Sequence, residues 1–198
     1  MGRVAGIILA AGTSSRMGKM KLFLDVHGKP MLGHVVESAL RSALDQVIVV
    51  LGNEYERVPA SIDFEDATVV FNPDFLKGQS TSLKAGIAAA GENCDAALFL
   101  LGDMPLVDSG VIDAVLQEHK ETRASIVVPV FAGRRGNPVL LARSLFPMVL
   151  ALEGDIGARA ILAANEDLIE TVDVDHDGIL LDVDTWEDYL RTFKPPNR

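Results

Sequence analysis

Apolar positions along the chain fall into short continuous runs, separated by longer stretches with helical spacing. Residues 3–9 (RVAGIIL), 46–51 (QVIVVL), 67–71 (ATVVF), 95–101 (DAALFLL) and 125–130 (SIVVPV) are apolar almost throughout rather than alternating, as strands covered on both faces should be. Between them, residues 30–43 (PMLGHVVESALRSA), 80–91 (STSLKAGIAAAG) and 109–122 (SGVIDAVLQEHKET) read as helices. In the first of these, Met31, Val35, Val36, Ala39, Leu40 and Ala43 share one stripe, and Pro30 suits a first-turn position. The alternation predicts βαβ units and a Rossmann-like, doubly wound, mainly parallel α/β sheet in a single domain spanning residues 1–198.

After residue 130 the pattern changes. FAGRRGNPVLL (131–141) sets Gly133 and Gly136 between extended segments, which predicts a hairpin or an antiparallel excursion. A helix is expected over 157–166, strands over 168–174 and 179–183, and a last helix from Thr185. No repeat, low-complexity tract or linker interrupts the chain, and only KPPNR at the end reads as frayed. Open α/β sheets bind ligands at the carboxyl ends of their strands. Three loops at such ends are unusual: AAGTSSRMGKMK, NPDFLKGQS and GDMPLV.

Composition changes this picture little, charge more. The chain has 198 residues, 48% hydrophobic and 23% charged, and a domain of this size buries roughly 70% of its unfolded surface without needing disulfides or a structural metal. Its single cysteine, Cys94, has no partner for an internal bridge, which fits a cytoplasmic location. VAGIILAA is too short, with only Arg3 before it, for a secretory segment, and MGRVAG lacks the hydroxyl of a myristoylation signal. No apolar run approaches the roughly 20 residues of a membrane span. A net charge of −10 argues against nucleic acid or an anionic membrane as partner. The charge is unevenly placed. Residues 1–30 carry Arg3, Arg16, Lys19, Lys21 and Lys29 against Asp25 alone, whereas no lysine or arginine stands between Arg159 and Arg191. A cationic start suits phosphates. The carboxylates near the end can serve a metal or form a solvated face.

The first loop is the most directed. A Walker A loop has four residues between its glycines and a hydroxyl after the lysine; here five separate Gly12 from Gly18, and Met20 follows Lys19. The dinucleotide fingerprint fails as well, since Ser14 stands where its second glycine belongs. The parts of an anion cradle remain. Gly12 lets the backbone approach a ligand, Thr13, Ser14 and Ser15 offer hydroxyls, Arg16 can fork two bonds to a phosphate, and Lys21 is a movable point charge. Asp103, just past a buried strand, faces that loop and either holds Mg²⁺ beside phosphates or caps a turn. Asp108 is the better helix cap. Asp182 and Asp184 share a strand face, and Asp184 either serves a metal or caps the last helix. Gln79, Ser80 and Ser82 can bond a base edge, with capping by Ser80 as the alternative. His27, His34, His119 and His176 share no ligand spacing, and no G-x-S-x-G elbow supplies a nucleophile.

LAAGTSSRMGKMKL resembles the signature of the MobA-like nucleotidyltransferases, L-A-[AG]-G-x-S-x-R-M-G-x-x-K, at Leu9, Ala10, Ala11, Gly12, Ser14, Arg16, Met17, Gly18 and Lys21. GQSTSLKAGI (78–87), LLGDMPLV (100–107), RGNPVLL (135–141), GDIGARAIL (154–162) and DVDTWEDY (182–189) are similar to later segments of the family in the same order. Within it, the chain resembles the molybdenum cofactor cytidylyltransferases. The resemblance implies a nucleotide-diphospho-sugar transferase-like fold and Mg²⁺-dependent transfer of CMP from CTP to the terminal phosphate of a pterin cofactor, molybdopterin. A molybdenum-containing oxidoreductase is then a partner to consider. It further implies nucleotide contacts for Leu9, Ala10, Ala11, Gly12, Ser14, Arg16, Gly18, Lys21, Gln79, Ser80, Ser82 and Gly102. Arg16, Lys21 and Asp103 would be catalytic, Asp103, Asp184 and Asp182 would ligate metal, and Asn137, Pro138, Asp155 and Arg159 would face the acceptor. Ala11 stands where cytidylyl enzymes carry alanine and guanylyl enzymes glycine. The chain departs from the family at Trp186, where proline is usual, and at Asn137, where a histidine often precedes the proline. Alternatives are a different acceptor on the same fold, a cofactor-binding chaperone, or an oxidoreductase. The first is disfavoured because GKMKLF lacks the Pro-Lys pair of sugar-phosphate relatives.

Overall fold

In the computed structural model, which describes residues 2–12, 21–52, 62, 64 and 66–193, the apolar runs assemble into one twisted sheet. The first elements are β1 (Arg3–Ala10), β2 (Asp25–Val26), β3 (Lys29–Pro30), α1 (Met31–Arg41), β4 (Gln46–Leu51) and β5 (Thr68–Phe71). There follow α2 (Gln79–Ala90), β6 (Cys94–Leu101), α3 (Ser109–Thr122), β7 (Ile126–Phe131), β8 (Arg134–Arg135) and β9 (Val139–Ala142). The chain continues through α4 (Phe146–Ala151), α5 (Arg159–Ala164), β10 (Ile169–Asp173) and α6 (Trp186–Phe193).

Strand order is β10-β7-β9-β6-β1-β4-β5, with β8 paired on β7. β6, β1, β4 and β5 run parallel to one another, as β10 does to β7, whereas β9 is antiparallel to both β6 and β7. The predicted excursion is thus real. Ala132 and Gly133, both at positive φ, turn β7 back through β8, and the chain then inserts β9 into the sheet. Both sheet faces are covered, which explains the unbroken apolar runs. Along β1, Ile8 joins Val49, Leu98, Val36 and Ile112 on the side of α1 and α3, while Ile7 joins Val50, Phe99, Leu83 and Val149 on the side of α2 and α4. Ile7, Ile8 and Leu98 are all fully buried.

Helix ends follow local chemistry. Asp108 caps α3, its Oδ1 accepting from the Val111 N–H at 2.9 Å. Pro30 stands at the cap of α1 rather than inside its first turn. Three features depart from the sequence expectation. A small hairpin, β2 and β3, precedes α1 and turns at His27 and Gly28, both at positive φ. Residues 146–151 form a short helix with Pro147 in its first turn, whose Phe146 and Val149 are buried. Residues 179–183 are not a strand. His176 accepts from the Gly178 N–H at 3.1 Å and starts a 3-10 turn over Asp177–Leu180. The segment then crosses the carboxyl end of the sheet, Ile179 O accepting from Asn137 N–H at 2.9 Å and Val183 N–H donating to Asp103 O at 3.2 Å. Its buried side chains, Ile179 and Val183, produced the strand-like pattern. The expected helix over 157–166 is shorter, and its neighbour β10 adds to the sheet edge as foreseen.

A third apolar cluster pins α6 in place. Val26, Met31, Val183, Tyr189 and Phe193 pack together, and the Tyr189 hydroxyl donates to Asp25 O at 2.5 Å. Among the described residues no helix is long and apolar enough to cross a membrane.

Leu98 lies at the centre of the sheet with no exposed surface. Leu98→Ala is expected to lower unfolding free energy by roughly 2–5 kcal/mol without changing the fold, measured by denaturant titration with circular dichroism. A loss below about 1 kcal/mol would show that the sheet core is not packed as described.

Candidate functional site

β1 lies between β4 and β6, so the chain leaves it on one side and returns on the other; ligands of such sheets bind where this reversal opens a crevice. A cleft of about 880 Å³ opens at that place, within the range that holds nucleotide-sized ligands. Its walls come from the end of β1 (Leu9–Gly12), Lys21 and Leu22, the turn Phe75–Gln79, and Ser82. Phe99, Leu101 and Asp103, then Asn137 and Val139, then Asp155, Gly157, Ala158, Arg159 and Asp184 complete them.

Lys21 opens a 3-10 turn, Lys21–Phe23, whose buried Leu22 and backbone bond from Leu24 N–H to Lys21 O (3.1 Å) fix the root of its side chain. Its Nζ donates to Asp103 Oδ2 at 2.6 Å and to Asp184 Oδ1 at 2.8 Å. The lysine side chain is 14% exposed, against 19% for Asp103 and 42% for Asp184. Burial pulls the Lys21 pKa down, but the two carboxylates more than offset it and hold the ammonium above the ordinary lysine value.

The neighbouring backbone shows why these groups meet. Gly102 N–H donates to Leu9 O at 3.0 Å, tying the end of β6 to β1, and Asp103 O receives Val183 N–H. Thr185 and Asp188 form a reciprocal pair at the start of α6, next to Asp184. The Thr185 hydroxyl accepts from Asp188 N–H at 3.1 Å, and Asp188 Oδ2 accepts from Thr185 N–H at 3.0 Å. Asp103 Oδ2 meets Lys21, and Oδ1 is buried without a hydrogen-bond partner among the described residues.

That unpartnered oxygen bears on metal binding. Among the described residues no group of three or more His, Cys, Asp or Glu side chains converges on a metal position. Asp103 and Asp184 do converge on one cation, and hard carboxylate oxygens in such a pair suit Mg²⁺ or Mn²⁺, which complete their shells with phosphate and water. Asp182 is not on the cleft wall. Its carboxyl pKa is pushed up, first by burial and then by the charge of Asp184.

Leu9, Ala10, Ala11, Gly12, Lys21, Gln79, Ser82, Asp103, Asn137, Asp155, Arg159 and Asp184 share this cleft. Ser14, Arg16 and Gly18 lie outside the described residues. Ser80, Gly102 and Pro138 are not on its wall. Ser80 is buried, and Gly102 packs behind, where a Cβ would sit 3.2 Å from Leu32 Cδ1 and 3.3 Å from Ala10 Cβ. Ser80 is not a cap, because α2 begins one residue earlier, after Gly78 at φ 110°. Asp155 serves that end of α2, its Oδ1 accepting from Gln79 N–H at 3.3 Å, while Gly154 O accepts from Ser80 N–H at 3.2 Å. Any side chain at Gly78 would overlap the backbone of Gly154 and Asp155. The loop expected to face the acceptor thus leans on the segment expected to read the base. Ser82 Oγ accepts from the buried Asn72 amide at 3.0 Å.

Phe75, Leu76 and Lys77 also line the cleft, and Leu76 is 76% exposed. Their loop follows a strand, and the apolar pair Phe75 and Leu76 carries no ligand-binding signal in sequence beyond that place. Gly52 is tight against Phe75 and Ala11, since a Cβ there would lie 2.6 Å from Phe75 Cβ and 2.9 Å from Ala11 Cβ.

Comparison with known proteins fits this geometry. Three curated relatives span nearly the full length. The chain is 30% identical over 195 residues to nicotine blue oxidoreductase of Paenarthrobacter nicotinovorans, covering 95% of each. It is 32% identical over 200 residues to the purine catabolism protein PucB of Bacillus subtilis (93% of each). It is 27% identical over 194 residues to the molybdenum cofactor cytidylyltransferase of Escherichia coli (96% of this chain, 95% of the relative). Among solved structures, the Mycobacterium sp. strain JC1 homologue of Rv0371c superposes with a TM-score of 0.86 at 29% identity, covering 96% of this chain and 95% of that one. Rv0371c of Mycobacterium tuberculosis in complex with manganese gives 0.84 at 26% identity, covering 97% and 98%. The architecture is that of nucleotidyltransferases of the nucleotide-diphospho-sugar transferase fold. The MobA-like NTP transferase domain matches residues 6–169, and the chain belongs to that family of nucleotidyltransferases.

Proposed function

We propose that this nucleotidyltransferase moves CMP from CTP onto the terminal phosphate of a molybdopterin-type cofactor and releases pyrophosphate. The observation that carries the chemistry is the partly buried Lys21 cation between Asp103 and Asp184, on the wall of a nucleotide-sized cleft. Ala11 on the cleft wall, the alanine expected of cytidylyl enzymes, and the kinship with the Escherichia coli cytidylyltransferase support CTP and the pterin acceptor.

In this reading an acceptor phosphate oxygen attacks the α-phosphorus of CTP. The bond from that phosphorus to the oxygen bridging the β-phosphate breaks, and pyrophosphate leaves with the electron pair. The acceptor needs no general base, because a phosphate monoester with a second pKa of about 6 is already ionised near neutrality. The work left to the chain is in-line positioning and charge neutralisation. Lys21 holds a phosphate oxygen of the nucleotide. Gln79 and Ser82 face the base, and Asn137 and Arg159 face the acceptor. Asp103 and Asp184 would hold a divalent cation, which would supply further positive charge near the phosphates. The dinucleotide product is of the kind a molybdenum-containing oxidoreductase would receive.

A second reading rests on the relatives. Identities of 30% to nicotine blue oxidoreductase and 32% to PucB exceed the 27% to the cytidylyltransferase. A redox or purine-linked activity on this scaffold follows if nucleotidyl transfer fails.

Pyrophosphate release, followed with Mg²⁺, a molybdopterin-type acceptor and CTP, GTP or ATP in competition, separates these readings. Release that requires the acceptor and prefers CTP is expected. Preference for GTP, or no release with any nucleotide, would overturn the proposal. In the same assay Asp103→Asn is expected to lower kcat by a factor on the order of 10²–10³, with an unchanged circular dichroism spectrum.

A further inference from the structure

One feature of the Lys21 cluster goes beyond its place in the proposed reaction. A lysine that only bound phosphate would point into the cleft and wait there. Here Nζ is instead seated between the two carboxylates, 2.6 Å from Asp103 Oδ2 and 2.8 Å from Asp184 Oδ1. Those are the oxygens that converge on a shared cation, and the position between them is taken. A divalent ion bound to the same pair needs oxygens at about 2.0–2.1 Å if it is Mg²⁺. It would then lie within a few ångströms of the ammonium, where the repulsion between a double and a single positive charge is strong in a poorly hydrated site. Both cations do not fit between these carboxylates together.

The lysine is built to move. Its backbone is fixed by the 3-10 turn and by the burial of Leu22, so any rearrangement falls on the four-carbon side chain. Asp103 is held independently, through its carbonyl to Val183 N–H, and Val183 is itself buried. That bond anchors the Asp103 backbone without the ammonium. Asp103 Oδ1, buried and without a hydrogen-bond partner among the described residues, is left over from the lysine's own bonding. It is the oxygen a second coordination contact would use.

We propose that Lys21 is a stand-in cation: Nζ occupies the divalent-metal position between Asp103 and Asp184 and vacates it when the metal enters. The exchange keeps the two carboxylates neutralised before loading. It also couples loading to the nucleotide, because the displaced ammonium finds its next partner in a phosphate oxygen. That coupling rests on the nucleotidyl-transfer reading; the exchange of cations at the carboxylates does not.

The test uses Mn²⁺ alone, with nucleotide and acceptor absent, so that its outcome is independent of which reaction the chain performs. Free Mn²⁺ is measured by electron paramagnetic resonance during titration of the whole chain, Lys21→Met, and Lys21→Met combined with Asp103→Asn. Lys21→Met is expected to bind Mn²⁺ about tenfold or more tightly than the unaltered chain, as removal of a competing unit charge requires, and the added Asp103→Asn is expected to abolish the gain. Equal affinity of the unaltered chain and Lys21→Met would overturn the proposal, as would absence of Mn²⁺ binding by either. A second measurement needs no substitution. Acetylation of Lys21 by acetic anhydride, followed by peptide mass spectrometry, is expected to rise several-fold when Mn²⁺ is added, because the displaced amine loses both carboxylate partners. Unchanged or reduced labelling would show that lysine and metal do not exchange.

Discussion

Lys21 carries a full charge into a place where 14% of its side chain meets solvent, and the surrounding structure makes that burial tolerable. A buried cation needs compensating carboxylates with good geometry, since desolvation otherwise exceeds the attraction. Here the partners come from distant parts of the chain, at positions 103 and 184. Each arrives by a separate structural route. Asp103 follows directly from β6, which is paired to β1 along most of its length. Asp184 is delivered by a crossing segment pinned through Val183 to the hairpin, α1 and α6. The third apolar cluster therefore has a consequence at the site: it holds the second carboxylate against the lysine.

The sheet supplies the rest of the geometry. Because β1 has β4 on one side and β6 on the other, the loop after β1 and the loop after β6 open together at the carboxyl edge. Insertion of the antiparallel β9 brings Asn137 and Val139 to the same edge from the opposite chain direction. Asp155 and Gly154 meet the first turn of α2, so the two walls of the cleft touch through backbone bonds. The nearly glycine-only contact at Gly78 is what allows that approach. A cleft assembled this way has room for a nucleotide-sized ligand.

Much of this was legible in residue pattern. Continuous apolar runs announced strands covered on both faces, and Ile7 and Ile8 are indeed both without exposed surface. Asp108 was identified as a cap from its place before a helical run, and it is one. The pairing of a lysine in the first loop with the aspartate after β6 followed from where such sheets bind ligands. What was hidden has physical causes. The segment 179–183 has strand-like apolar spacing, but its backbone partners lie at the end of the sheet and not along an edge, which spacing cannot reveal. The meeting of Asp184 with Lys21 depends on the crossing segment held by Val183, which spacing does not show. Asp155 was read for its likeness to an acceptor segment, whereas its carboxylate also bonds the first amide of α2, a contact 76 residues away in sequence. Phe75 and Leu76 gave no signal of their own beyond standing after a strand.

The central claim is that Lys21 and Asp103 serve one charge-neutralising arrangement in the proposed transfer, the lysine on a phosphate oxygen and the aspartate through the divalent cation it would hold. A double-mutant cycle tests this most directly, with kcat/KM for pyrophosphate release measured on the unaltered chain, Lys21→Met, Asp103→Asn and the double variant. Groups that act as a unit are strongly non-additive, so the double variant should be about as slow as the slower single one. Losses that multiply would contradict the account, because they would mean that the two residues contribute separately.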